Sequence, residues 1–364
     1  MTVNRPDLSK LDPEIRAYIE HLEREIQRSA PGVTRRAAAP RSVRVSTTEP
    51  EDDEPISQTS EPAEPPTTIS LISATANGLA KRTLRHFYNR QHRGGMGVFD
   101  LETPKDSHPS LLAQADAGQF LIVITDQARA FRMPLDTIPE TGIRGRGELI
   151  TGRLNLDEDE RLAVIIPDQV QGYIALLSQS GMVRLLRHHV FGEYMKPGTA
   201  VYDYRTFGPL ASACWTSGSD DLFVATRAGK AIRFAEKALS PQGGLGIRLN
   251  AGDQAVAITG VDEDGAVFLL GADGRGTIRN MASFLANKAP GASGKVAMAT
   301  DSLVAAAAVT PGDDLVVISR LSKIIRFSTY DVPIKDGVVQ GVNCMALRAD
   351  EVTALLVCPP YDRM

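Results

Sequence analysis

The sequence has little of what most enzymes, membrane proteins and secreted domains display. Its 364 residues include only three cysteines, Cys214, Cys344 and Cys358, far apart in apolar segments and without a Cys-x-x-Cys pair. That excludes a disulfide framework and a thiolate zinc site, and the thiols are expected to be small buried side chains in a reducing compartment. No run approaches the ~20 apolar residues of a membrane helix; the longest, Leu303–Val309, is of strand length. Asn4, Arg5, Pro6 and Asp7 stand where a signal peptide needs an apolar core, so a cytoplasmic protein is expected. There is no P-loop and no nucleophile elbow. The carboxylate run Asp157–Glu160 reads as a solvated turn, not a metal site. The histidine pair His188-His189 reads as two side chains on opposite faces of a strand. No cofactor, metal, membrane or small-molecule substrate is therefore expected. Nor is there an excess of positive charge: the formal net charge is −4. Residues 1–66 hold 9 Lys/Arg and 13 Asp/Glu, while residues 67–364 hold 31 of each. Nucleic-acid binding, if present, must then come from where the cations sit.

What is there falls into three regions. Asp12, Pro13 and Glu14 form a helix start, and Ile15, Tyr18, Ile19, Leu22 and Ile26 recur at helical spacing. A short amphipathic helix is expected within residues 1–29, suited to docking on a protein partner. Residues 30–66 are rich in Pro, Ala, Ser, Thr and Glu, which predicts a disordered, acidic linker. Residues 67–364 form the main domain.

That domain repeats. Ile72–Phe87, Val123–Ile138, Leu176–Phe191, Val224–Leu239, Leu269–Phe284 and Val317–Val332 each read as an apolar strand, a tight turn and an alternating strand with an arginine. Those arginines, Arg82, Arg132, Arg184, Arg233, Arg279 and Arg326, are spaced by 50, 52, 49, 46 and 47 residues. A Gly-containing loop and further short strands follow in each unit, such as Gly94–Phe99, Gly243–Leu249 and Ala255–Ile258. Six all-β units of this period predict a six-bladed β-propeller, closed so that no sheet edge is left open. Kelch blades need a double glycine with regular Tyr and Trp, and WD40 blades need Trp-Asp. The single Trp215 excludes both.

One motif narrows the class. Gln91-His92-Arg93-Gly94-Gly95-Met96-Gly97 agrees at five of seven positions with Gln-Arg-Arg-Gly-Gly-Lys-Gly, the box of the gyrase A C-terminal domain. Gly243-Gly244-Leu245-Gly246-Ile247-Arg248-Leu249, followed by Gly252-Asp253, and the hairpin Ala225–Phe234 are also similar to that family. The resemblance covers about residues 67–358. It implies a β-pinwheel, a propeller whose blades exchange strands, related to the C-terminal domains of gyrase A and topoisomerase IV. It further implies duplex DNA held without sequence preference on the rim, and the box as the element on which wrapping depends. Topoisomerase cleavage needs a winged-helix tyrosine that this sequence does not supply, so a non-catalytic, nucleoid-associated accessory is expected. The helix would then meet a gyrase or topoisomerase IV subunit.

Wrapping requires cations at phosphate spacing along a curved surface. From Thr67 to Phe99 there is no acidic residue, yet Lys81, Arg82, Arg85, Arg90 and Arg93 are present. Gly94, Gly95 and Gly97 would let backbone N–H groups approach an anion, with Gln91 and His92 beside them. Arg132, Arg184, Arg187, Lys230, Arg233, Arg279, Lys323 and Arg326 would continue a basic belt once per unit, with acidic runs at another phase forming a collar elsewhere. Two departures weaken the box: His92 replaces an arginine and Met96 a lysine, removing permanent charge near neutral pH. The alternative is a propeller that kept the fold for protein interaction and lost wrapping.

Overall fold

The computed structural model describes residues 64–363; the expected N-terminal helix and all but the end of the linker lie outside the described residues. Among the described residues the structure is β-strand and short 3-10 turns, with one four-residue α-helix at Tyr204–Phe207. Each unit is founded on a hairpin, for example Ser70–Thr75 with Leu79–Leu84 in unit 1 and Asp314–Ser319 with Lys323–Ser328 in unit 6. The turn of each hairpin closes with an i→i+3 backbone bond, from Gly78 N–H to the Thr75 carbonyl at 2.9 Å and from Ser322 N–H to that of Ser319 at 2.9 Å. The residue closing this turn has positive φ. It is glycine in four units, but Ala128 (φ 62°) in unit 2 and Ser322 (φ 62°) in unit 6 adopt the same conformation.

The first hairpin strand reads as a continuous apolar run because neighbouring blades cover both its faces. Leu121, Ile122, Val123 and Ile124 are all fully buried. A longer inner strand, such as Pro109–Ala115 or Val352–Cys358, pairs antiparallel with it. These inner strands contact one another in turn around the ring.

The fourth strand of every blade comes from the next unit in the chain. Leu79 pairs with Leu149, Ala130 with Thr199, Val183 with Gly244, Ala231 with Lys295, and Gly276 with Val342. Unit 6 takes its outer strand from unit 1 instead, Ile324 pairing with Val98. The exchange therefore closes the ring and leaves no blade without its outer strand. It also explains the glycines of the connecting loops. A Cβ at Gly97 (φ +67°) would lie 2.5 Å from the Ile324 carbonyl oxygen, and one at Gly341 would lie 2.5 Å from that of Gly276.

The apolar core is accordingly a set of wedges between adjacent blades. One joins Ile72 and Ala80 of unit 1 to Leu121 and Phe131 of unit 2; another joins Leu71 and Tyr88 to Val316 and Ile318 across the closing seam. Of the cysteines, Cys344 and Cys358 are buried and free, and burial pushes both thiols up to about 12.

Candidate nucleic-acid interface

The hairpin registers sort the six repeated arginines into two groups. Arg82, Arg132, Arg233 and Arg326 face Ile72, Ile122, Phe223 and Val316, the third residue of each first strand. The equivalent partners in units 3 and 5 are Ala175 with Leu185 and Phe268 with Ile278. Arg184 and Arg279 are thus one residue out of phase, and one residue turns a strand side chain to the other face. The expected six-fold series is a four-fold one.

Three of the four in-phase arginines have a common task. Arg82 Nε donates to the carbonyl of Ile138, the residue that caps the 3-10 turn of unit 2, at 3.0 Å. Arg233 Nη1 donates to Met281 O at 2.9 Å and Phe284 O at 3.4 Å, at the matching turn of unit 5. Arg326 Nη1 donates to Tyr88 O at 3.1 Å, at the turn of unit 1. Each also meets carboxylates: Glu140 at 2.8 Å, Asp221 at 2.8 Å, and Asp314 at 2.6 Å. These arginines clasp one blade to the next. Arg132 instead lies 3.6 Å over the Phe120 ring and pairs with Asp168 at 2.7 Å.

The closing seam is the most highly charged part of the interior. Asp314, fully buried, accepts from Arg326, from Arg85 at 3.2 Å and from Arg90 at 2.7 Å. Glu64, at the end of the linker, bridges Arg85 and Arg326. Burial and the neighbouring Arg326 lower the Arg85 pKa against the pull of these carboxylates. Nearby, Lys81 meets Asp100 at 2.7 Å with both side chains fully buried; Tyr88 and Ser73 donate to the same carboxylate at 2.6 and 2.7 Å. Desolvation lowers the Lys81 pKa and raises that of Tyr88.

The box lies on this seam. Gln91 N–H donates to Arg326 O at 2.7 Å, Gly94 N–H to Cys344 O at 2.9 Å, and Gly95 O accepts from Ala346 N–H at 3.0 Å. Arg93 Nε donates to Asp331 O at 2.8 Å, and His92 Nδ1 faces the Asp331 carboxylate at 3.3 Å. Its residues thus seat the first unit on the last. Met96, at 55% exposure, is the one large side chain of the box that faces outward.

The expected belt is corrected accordingly. Lys81 and Arg85 are fully buried, and Arg233, Arg279 and Arg326 are 3–4% exposed, too deep for a phosphate to reach. Burial comes from the adjoining blade, which covers a hairpin face that would be open on one unit alone. The acidic collar is corrected in part: Glu160 and Asp221 turn in to Arg129 and Arg233 and Asp314 is buried, while residues 157–159 and 262–264 are exposed. Arg184, Lys230 and Lys323 are half-buried, while Arg187 is exposed. His188 and His189 sit in a 3-10 turn, not a strand, with rings 6.1 Å apart.

Accessible cations gather elsewhere, on the segments that lead into and form the exchanged strands. Residues 88–99, 139–149, 192–200, 239–249, 285–297 and 333–343 hold nine Lys/Arg and four Asp/Glu, in a domain that holds 31 of each overall. Arg144, Arg146, Lys196, Arg248 and Lys288 are exposed, although Arg146 meets Glu102 at 2.8 Å. The Gly-containing loops marked these segments in the sequence, but the arginine spacing drew attention to the hairpins instead. Among the described residues no three His, Cys, Asp or Glu side chains gather as a metal site, and no helix is long and apolar enough to cross a membrane.

A closed ring of six strand-exchanging blades, with a box across its closure, defines a β-pinwheel. The sequence profile of the DNA gyrase C-terminal domain β-propeller matches residues 70–107, 119–167, 220–262 and 313–359, and the chain belongs to that family. The four matched segments are the units whose arginine is in phase. Among curated proteins, the DNA gyrase A protein of Mycoplasma pneumoniae is 26% identical over 291 residues, covering 77% of this chain and 35% of the relative. That of Staphylococcus epidermidis is 24% identical, covering 76% and 33%. The chain thus spans about a third of the length of these relatives. Among solved structures, the DNA gyrase A C-terminal domain superposes with a TM-score of 0.69 at 20% identity, over 80% of this chain and 99% of that one. The C-terminal domain of DNA topoisomerase IV gives 0.58 at 18% identity, over 81% and 95%. At these identities the structural likeness concerns the fold, and the match lies in the C-terminal domain of those proteins.

Proposed function

We propose that this protein binds duplex DNA on the rim of its ring, without sequence preference and without catalysis, as an accessory to a type II topoisomerase. The observation that carries the reading is the two-to-one excess of cations on the exchange segments, in a domain that holds 31 charges of each sign overall. Backbone contacts of this kind need no base recognition. Family membership supports the same reading. The short amphipathic helix expected within residues 1–29 is the element suited to dock on gyrase or topoisomerase IV.

Mobility-shift titration of two unrelated linear duplexes tests this. Both are expected to bind alike, with affinity falling steeply as salt rises. Absence of binding at low salt, or a strong preference for one sequence, overturns it. One observation favours a second reading, a protein-interaction ring: Arg90 and Arg93 at the box are engaged by Asp314 and the Asp331 carbonyl. That reading predicts capture of a topoisomerase by a ring that ignores DNA.

A further inference from the structure

The two longest acid-free stretches of the ring lie well apart on it. One is residues 65–99, which holds the box; the other is residues 274–300, in unit 5. The second adjoins another acid-free stretch, residues 237–252 of unit 4. Gly291 N–H donates to Gly246 O at 2.9 Å and Arg248 N–H to Ala292 O at 3.1 Å, so the two form one continuous outer surface. The exchanged strand Lys295–Val296 then lies against Lys230–Ala235 of unit 4.

Three cations stand on this surface. Arg248 and Lys288 are exposed, and Lys295 lies half-buried with Nζ 4.0 Å from the centre of the Phe284 ring. Lys288 Nζ donates to Ser293 O at 2.8 Å, across the loop from Lys295. None of the three meets a carboxylate among the described residues, whereas the box cations face Asp314 and Asp331. Burial, Arg279 and Lys288 all depress the Lys295 pKa. Holding like charges together costs free energy unless an anion is drawn in.

We infer that the main phosphate grip of this ring is the outer surface shared by units 4 and 5, built on Arg248, Lys288 and Lys295, and that the box serves chiefly to close the ring. The inference rests on the reading of the protein as a DNA binder and moves the site of that binding. Duplex DNA is the occupant because cations on adjoining exchange segments, free of acids, suit a continuous phosphate backbone, not a single ion.

The test compares the full-length protein with the triple variant Arg248→Gln, Lys288→Gln, Lys295→Gln on a linear duplex of about 40 base pairs, over a salt series. The plot of log affinity against log salt is expected to flatten by about three units in the triple variant, at ~0.9 for each phosphate no longer neutralised, with melting temperature unchanged. The double variant Arg90→Gln, Arg93→Gln is expected to lower the melting temperature and leave the slope within about one unit of wild type wherever it remains folded. A triple variant with the wild-type slope overturns the inference while leaving DNA binding intact. Failure of the wild type itself to bind overturns both.

Discussion

The seam between units 6 and 1 and the seam between units 3 and 4 do the same job by opposite means. At the first, Arg326 reaches the turn of the next blade and sits among Arg85, Asp314 and Glu64. At the second, the residue in register is Leu185, and it lines a cavity of about 430 Å³ with Leu239, the residue that caps the turn of unit 4. The apolar wedge at the closing seam has only seven buried residues, against ten at the other. At the closing seam paired charge fixes the geometry, and the ring ends meet only where those pairs form. Charge in the hairpins is therefore mainly architectural, and the cations left for a ligand are those on the exchange segments.

The sharpest way to break this comparison is at Asp314. Asp314→Ala leaves Arg85 and Arg326 buried with reduced compensation and is expected to destabilise the ring by about 3–5 kcal/mol in urea unfolding. Asp168→Ala, which frees the more accessible Arg132, is expected to cost no more than about 1 kcal/mol. Equal losses at the two sites contradict the special role of the closing seam. A smaller effect is expected at Gly97, whose φ of +67° and contact with the Ile324 carbonyl leave no room for a methyl group. Gly97→Ala should cost about 1–3 kcal/mol and raise amide exchange first in the closing strand Val98–Phe99.

The seam of units 3 and 4 offers the opposite experiment. Leu185→Arg should supply the missing clasp to the turn of unit 4 and add about 1 kcal/mol; a loss typical of a core substitution contradicts the clasp. The same seam holds the smallest expected effect, a pH dependence. Burial raises the Glu236 pKa above its usual 4.5, while Thr216 donates to one oxygen at 2.7 Å. The folded state then holds a proton that the unfolded chain releases, so stability should fall as pH rises from 4.5 through the raised value. Glu236→Gln should remove that slope, and an unchanged pH profile contradicts the assignment.

Much of this architecture was legible in the sequence. The tight turns, the repeat period and the glycine loops identified six hairpins and their exchange segments. The box identified the family, with Gly97 standing where the Ile324 carbonyl leaves no room for a side chain. The depth of the charged residues was hidden. Whether Arg85 or Lys81 is buried depends on Asp314 and Asp100, which lie 229 and 19 residues away in sequence, and on a ring that closes between its first and last units. The one-residue shift of Arg184 and Arg279 was also hidden, since nearest-arginine spacing absorbs it. Only the strand register exposes it.

The most direct test of the rim as the DNA-bearing surface is amide hydrogen exchange with and without a saturating linear duplex. The expected result is protection over residues 239–249 and 285–297 and along the other exchange segments, with the inner strands unchanged. Protection confined to inner strands such as Pro109–Ala115 and Ala255–Val261, or none despite binding, contradicts it.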